Sequence, residues 1–429
     1  MNRNGELQRA VVFGGLLCLM TLALPNSLRS ALAVCFVLAL PLFAWIALRV
    51  PRDEAQALFA LVAAAVGVRL IVATVIATLA PENFFSLDQR RYEWLGEAMA
   101  RAWAGEGSLP ENIHAKPGYY VWNALVYSAV GFVPLAVTFS NAAIAGGSVV
   151  LVYRIARDLA DVRAARIAAG LAAFFPSLVL WSSLNLKDAA AIVTLLLVVR
   201  GTQRLQQRPS AGALVQLCVG VALLSQLRDY LVWIVLAGAA VGLVLPRLRS
   251  VPALLLVAAT LAGVALTGAA GLQSEQMPSL RFDLLEQHRR NLAVGGSAYH
   301  GDADVSSPLA ALRFLPVGLG YFLFAPAPWQ LWNARQWMTL PEMLAWYALL
   351  PQIGFGLRGL WQRREAACLP LLAIAVLITV AYALVEANLG TAYRHRAQVL
   401  VLYLTIAAIG VARERSVSRS AVAPAEVPA

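Results

Sequence analysis

The sequence predicts an all-α fold: a polytopic bundle of transmembrane helices with two further helical stretches lying along the outer interface. Of the 429 residues, 60% are hydrophobic and only 13% charged, against roughly 25% charged in ordinary soluble domains. Mean hydropathy is +0.69. Apolar runs of near-membrane length recur along the chain, with the charges collected between them, and a bilayer core needs about 20 apolar residues in helical form. The runs do not alternate with a two-residue period. A closed barrel, the other architecture that satisfies its backbone in lipid, is thereby excluded.

Taken in order, the spans fall near 10–25, 31–49, 57–80, 138–157, 165–182, 187–203, 211–227, 229–246, 252–271, 340–357, 367–385 and 396–412. That gives about twelve crossings at roughly 20 residues each. The N-terminus resembles a signal peptide but lacks a clear small-x-small cleavage site, so it reads as a retained first helix. Arg-rich loops at 49–52, 157–166, 200–208, 247–249, 358–364 and 413–415 all fall on one side with this count. The positive-inside rule makes that side cytoplasmic, with both termini inside. The arrangement holds only if the apolar stretches 119–134 and 308–325 do not cross. Their aromatic and proline content, with Tyr119, Tyr120, Trp122 and Tyr127 in the first and Pro316 and Tyr321 in the second, suits the outer interface.

The chain then reads as one integral membrane domain over 1–429. It has two extra spans in 1–56, a first half over 57–205 and C-terminal spans over 206–412. The outer segments are 81–137 and 272–339, and 413–429 is a disordered cytoplasmic tail. The net charge of +11 belongs to the basic loops; no basic–aromatic stripe points to nucleic acid. Cys18, Cys35, Cys218 and Cys368 lie in apolar runs without metal-ligand spacing. The four histidines have none either, and Asp302 and Asp304 read as a solvated loop. No metal or cofactor is expected.

The outer side carries polar groups that topology does not need, and charges at span ends usually face a bundle interior. Asp88 follows the third span and opens an amphipathic helix with Tyr92, Leu95, Met99 and Trp103 on one face. It is either a helix cap or a site residue. Lys116, before Pro117, either grips a lipid phosphate or snorkels to the interface. Lys187 and Asp188 open another span. Arg228 stands beside Asp229 as a local ion pair or an anion contact. Arg290 lies in the second outer segment. Arg394, His395 and Arg396 break the positive-inside pattern and read either as an outer basic cluster without function or, preferably, as a phosphate or anionic-glycan site, with Glu386 at the edge of the preceding span placed to pair with them.

Asp88, Lys116-Pro117, the run Val152-Tyr153-Arg154-Ile155-Ala156-Arg157 and the segment Trp181 to Asp188 occur in an order that resembles the GT-C superfamily of polyprenyl-phosphate-dependent glycosyltransferases. More narrowly, it resembles the branch of the protein mannosyltransferases and lipid A aminoarabinose transferases, glycosyltransferase family 39. The resemblance covers about 57–205. It implies that Asp88 is the catalytic base, that Lys116 holds the carrier phosphate, and that Asp188 is a second acidic site residue. It also implies an inverting transfer of a hexose or pentose from a polyprenyl-phosphate or diphosphate donor, on the outer face of a bacterial cytoplasmic membrane. The acceptor would be a glycan, lipid or protein of the cell envelope. The chain departs from the family in its two extra spans and in the neutral neighbours Leu87 and Gln89 around Asp88. It also lacks a large soluble domain in its C-terminal half, unlike an oligosaccharyltransferase.

Two other readings compete. An O-antigen or exopolysaccharide polymerase or ligase would lean on outer arginines, and Arg290 with Gly301 fits one such spacing. A transporter would show inverted repeats and polar groups at mid-membrane; the span interiors read as apolar and no repeat is visible.

Overall fold

A computed structural model describes residues 24–81, 84–109, 118–247, 282–331, 333–363 and 365–422. Among the described residues the regular secondary structure is helical, apart from one isolated antiparallel bridge between Ala298 and Asn388. The expected spans at 10–25 and 252–271 lie outside the described residues.

The helices are α1 (Asn26–Arg49), α2 (Arg52–Leu79), α3 (Asp88–Trp103), α4 (Gly118–Val130), α5 (Pro134–Leu159), α6 (Val162–Phe174), α7 (Pro176–Ser182) and α8 (Asp188–Gln207). They continue with α9 (Ala211–Leu227), α10 (Asp229–Val244), α11 (Phe282–Leu292), α12 (Pro308–Phe324), α13 (Ala334–Trp337), α14 (Leu340–Gln362), α15 (Leu369–Val385) and α16 (Leu389–Val422). α16 thus runs on into the stretch read from the sequence as a tail.

The count of about twelve crossings is not reached among the described residues. Five helices are long and apolar enough to cross a membrane, and the bent pair α6–α7 makes a sixth. The chain is a multi-pass membrane protein, with several other segments falling short for identifiable reasons. α9, α10 and α12 have only 17, 16 and 17 residues, or about 25 Å of helix against a core of about 30 Å. α8 has 20 residues, but its second half carries Arg200, Gln203, Arg204 and Gln206. The run 165–182 is not one helix: Pro176 lacks an N–H and disfavours helix at Phe175, and the axis bends by 52° there.

α5 and α16 form the centre of the bundle. α1 and α2 lie against α5, α14 against α16, α9 against α8 and α10 against α15. Small residues let these helices approach closely, as packing in lipid demands. Alanines 164, 165, 168, 169, 172 and 173 of α6 are all buried. A Cβ at Gly410 would lie 2.0 Å from the Gln352 carbonyl oxygen, so the α14–α16 crossing requires glycine there.

The helices alternate in direction, and this sorts the loops by charge. Glu54 pairs with Arg157, Arg200 with Asp158, and Gln206 reaches the Gly242 and Ala366 carbonyls. The Arg-rich connections therefore gather at one end. The α7–α8, α9–α10 and α15–α16 junctions gather at the other, with α3 and α4. α4 has 13 residues, too short to span at about 1.5 Å each. α12 lies across the end of α15 rather than along it. Ala311 and Phe314 pack on Leu384 and Val385, Gly318 meets Ala383, and Phe322 meets Tyr382.

Candidate active site

The end that collects α3, α4 and the three junctions holds irregular backbone inside the bundle. Its polar groups have little water to turn to and must find partners within the protein. The turn 183–187 does so through asparagines. Asn141 Nδ2 donates to the carbonyls of Leu184 (2.8 Å) and Leu186 (3.0 Å) and to Tyr119 Oη (2.8 Å). Tyr119 in turn donates to Asn185 Oδ1 at 2.9 Å, and Asn185 Nδ2 to Asn123 Oδ1 at 2.9 Å. Gln89 of α3 accepts from the Asn185 N–H at 3.0 Å. This framework fixes α3, α4 and α5 around the start of α8, and with it Asp188.

Asp188 is completely buried. Its Oδ1 accepts from Arg228 Nη2 at 2.8 Å, and its Oδ2 from Arg394 Nε at 2.8 Å and Nη2 at 2.7 Å. Arg228 occupies the single-residue break between α9 and α10, where its extended φ of −149° turns the chain. It also donates to Tyr230 Oη at 2.6 Å and faces His395 Nε2 at 3.0 Å. His395 Nδ1 meets Glu386 Oε1 at 2.5 Å, and its ring stacks on Tyr382 with centroids 5.0 Å apart. Burial pushes the Glu386 carboxyl up; the charge and hydrogen bond of His395, a hydrogen bond from Thr391 and the charge of Arg228 outweigh this and hold it below the usual carboxylate range.

Arg394 is the link to the surface. While Nε and Nη2 hold Asp188, Nη1 donates to Asp88 Oδ2 at 2.6 Å and reaches Ser86 Oγ at 3.4 Å. Asp88 is the first residue of α3, after the N-cap Leu87, and its side chain is directed to the guanidinium. Its side chain is 52% exposed, whereas that of Arg394 is 10% exposed. The result is a ladder running Glu386, His395, Arg228, Asp188, Arg394, Asp88. Three carboxylates and three basic groups share it, with His395 and Arg228 side by side between Glu386 and Asp188, and it runs from the buried end to the solvent. Tyr92, one turn beyond Asp88, lies buried over Tyr119 with centroids 4.9 Å apart.

Five of the nine residues singled out in the sequence therefore meet in one ladder: Asp88, Asp188, Arg228, Arg394 and His395. Lys187 is half-buried at the start of α8 beside it. Lys116 lies outside the described residues. Arg396 faces elsewhere: its Nη1 donates to the carbonyls of Leu323 (3.0 Å) and Ala325 (2.8 Å), closing the end of α12. Arg290 is exposed and pairs with Glu286 on its own helix. Its neighbour Arg289 is the buried one, donating to the carbonyls of Leu384 (2.9 Å), Glu386 (2.7 Å) and His300 (2.8 Å). Among the described residues no group of three His, Cys, Asp or Glu side chains is arranged to hold a metal ion.

The span interiors are not wholly apolar, contrary to the sequence reading. Arg69, in the middle of α2, is 1% exposed. It donates to Ser182 Oγ at 2.7 Å and to the carbonyls of Ala173 (2.7 Å) and Ala172 (3.2 Å) at the end of α6. Its guanidinium satisfies carbonyls freed by the α6–α7 break, at the negative end of a helix.

A cleft of about 300 Å³ opens beside the ladder, between the end of α2, the first turns of α3 and the start of α5. Ile76, Ala80, Phe84, Phe85 and Leu135 give it apolar walls, and Gln89 and Arg90 stand at its rim.

No protein-family model matches the chain, and no curated protein matches it. Two solved structures resemble it in fold. One is the oligosaccharyltransferase of Archaeoglobus fulgidus in its apo form, with a TM-score of 0.45 and 17% identity over 86% of this chain and 53% of that one. The other is AglB, the archaeal oligosaccharyltransferase of Archaeoglobus fulgidus, in complex with an inhibitory peptide and a dolichol-phosphate, with the same score and identity over 86% and 52%. The chain spans about half the length of these proteins. At this score the likeness carries no chemistry, and the site is read from its own residues. Fold and site together define a multi-pass helical membrane protein with a buried ladder of charged groups that opens to solvent at one end.

Proposed function

We propose that this protein is a membrane glycosyltransferase of GT-C type. It moves a hexose or pentose from a polyprenyl-phosphate or diphosphate donor to a glycan, lipid or protein acceptor. It works on the outer face of a bacterial cytoplasmic membrane, with both termini inside. The observation that carries the reading is Arg394, which joins a half-exposed carboxylate, Asp88, to a buried one, Asp188.

Each part of that arrangement has a use in glycosyl transfer. Asp88 takes the proton of the acceptor hydroxyl as the new bond to the sugar's C1 forms. The bond from C1 to the phosphate oxygen breaks, and its electron pair leaves with the phosphate. Arg394 offsets the charge that develops there, and Asp188 holds its guanidinium in position beforehand, so little reorganisation is needed. One base suffices for a displacement that inverts the anomeric centre. The cleft beside α3 has Ile76, Phe84, Phe85 and Leu135 to meet the first isoprene units of the carrier, with Arg90 at its rim for the phosphate.

The test is Asp88→Asn, assayed in membranes for transfer of labelled sugar from polyprenyl-phosphate donors after expression is confirmed. Transfer should fall by about two orders of magnitude or more, the scale of a positioned general base. Full activity in the folded variant overturns the assignment.

A further inference from the structure

We propose that the Asp88 carboxylate is the resting occupant of the donor's phosphate seat on Arg394, so that phosphate binding and release of the base are a single exchange. This rests on the glycosyl-transfer reading and deepens it.

Arg394 has two partners of unequal standing. Asp188 is fully buried and takes both Nε and Nη2. Pulling it away would strand a charge inside the bundle, which is strongly unfavourable. Asp88 takes only Nη1 and is half in solvent. A carboxylate in that position exchanges a guanidinium for water at small cost. Leu87, not Asp88, is the N-cap of α3, and the Asp88 carboxylate is turned to Arg394, so its rotation away costs α3 no N-cap. The Nη1 edge of Arg394 is therefore the replaceable contact.

Charge favours exchange over addition. The ladder holds three carboxylates (Asp88, Asp188, Glu386) against two guanidiniums (Arg228, Arg394) and one imidazole (His395). A phosphate arriving with Asp88 still seated would bring two anionic groups onto one N–H edge, where like charges at contact distance repel strongly. With Asp88 displaced, a phosphate oxygen takes its place on the Nη1 edge, a charge-assisted contact. Both oxygens of the freed carboxylate are then open to the acceptor hydroxyl. Without donor the base stays masked; after transfer the departing lipid phosphate lets Asp88 return.

The full-length protein in neutral phosphatidylcholine nanodiscs provides the test. Binding of undecaprenyl phosphate and of the uncharged alcohol undecaprenol would be compared for wild type, Asp88→Asn and Asp88→Ala. Removing the competing carboxylate should tighten undecaprenyl phosphate binding on the order of fivefold, the scale of a partly exposed ion pair, and leave undecaprenol binding unchanged. Unchanged or weaker phosphate binding in both variants overturns the exchange. So does a gain shared by undecaprenol, because the tail seat would then have changed. Loss of transfer without tighter binding sinks the exchange alone. Tighter binding with transfer retained sinks the base assignment and leaves Asp88 as a competitor for the seat.

Discussion

The carboxylate of Glu342, at the start of α14, accepts a hydrogen bond from the backbone N–H of Ser177 at 2.5 Å, just past the break between α6 and α7. Tyr393 of α16 donates to the same oxygen at 2.6 Å. Arg69 serves the other side of the break, so a cation meets the carbonyl end of one half-helix and an anion the N–H end of the next. Arg69→Met should leave the Ala172 and Ala173 carbonyls without their partner and cost about 2 kcal/mol or more. Glu342→Gln, which can still accept from Ser177, should cost less than Glu342→Ala. Thermal unfolding in detergent would show this order; equal midpoints for all three variants would contradict it.

Arg394 must hold two carboxylates at once, and a single ammonium cannot reproduce that fork. Arg394→Lys should keep the net charge and most of the fold while transfer falls by about a hundredfold or more. Wild-type turnover in this variant would mean that charge alone, without the bridging geometry, is enough.

Arg289 and Arg290 are adjacent but differently placed. Arg289→Ala removes three hydrogen bonds to carbonyls around the end of α15. It should expose the 282–292 helix to protease, with a cost of about 1–3 kcal/mol. Arg290→Ala loses only a surface pair and should change stability by less than about 0.5 kcal/mol. It should also leave transfer intact. A polymerase that relies on Arg290 would lose its activity, so the same variant decides between the two readings.

Glu386 supplies a pH signature. Its carboxyl is held below its ordinary value of 4.5 by His395, Thr391 and Arg228, against the opposing effect of burial. A depressed folded-state value means that the unfolded chain takes up the proton first on acidification. The stabilisation is complete above about pH 4.5 and is lost as pH falls through the folded-state value. The stability gap between wild type and Glu386→Gln should shrink as pH falls below about 4.5, where the unfolded-state and then the folded-state carboxyl take up a proton. A gap as large at pH 3.5 as at pH 6.5 would refute the assignment.

Much of the fold was legible because lipid imposes a simple rule on sequence: long apolar helices and Arg on one side. The boundaries of α9 coincide with the expected span at 211–227, and those of α10 and α15 differ by only a residue or two. Asp88, Asp188, Arg228, Arg394 and His395 stood out as charges at span ends. Side-chain direction was harder to read. Arg394 and Arg396 looked equivalent in sequence, although two positions on a helix point to nearly opposite sides, and that spacing alone sends Arg396 away from the ladder. Arg69 was missed because one charge barely alters a strongly apolar window. The α6–α7 break had a signal in Pro176, overlooked because the surrounding run is continuous. Asn141 and Asn185 carry no sequence signal, since their role exists only once the 183–187 turn is folded.

The distance in sequence between Asp188 and Arg394, 206 residues, matters for how the protein is made. α8 enters the membrane long before the last span is synthesised, and Arg228 reaches the same site only with the α9–α10 hairpin. Until α16 arrives, the nascent chain carries a carboxylate whose principal partner does not yet exist. The ladder is therefore complete only once α16 is in place. A chain stopped short of Arg394 would leave the buried Asp188 with Arg228 as its one guanidinium in the ladder.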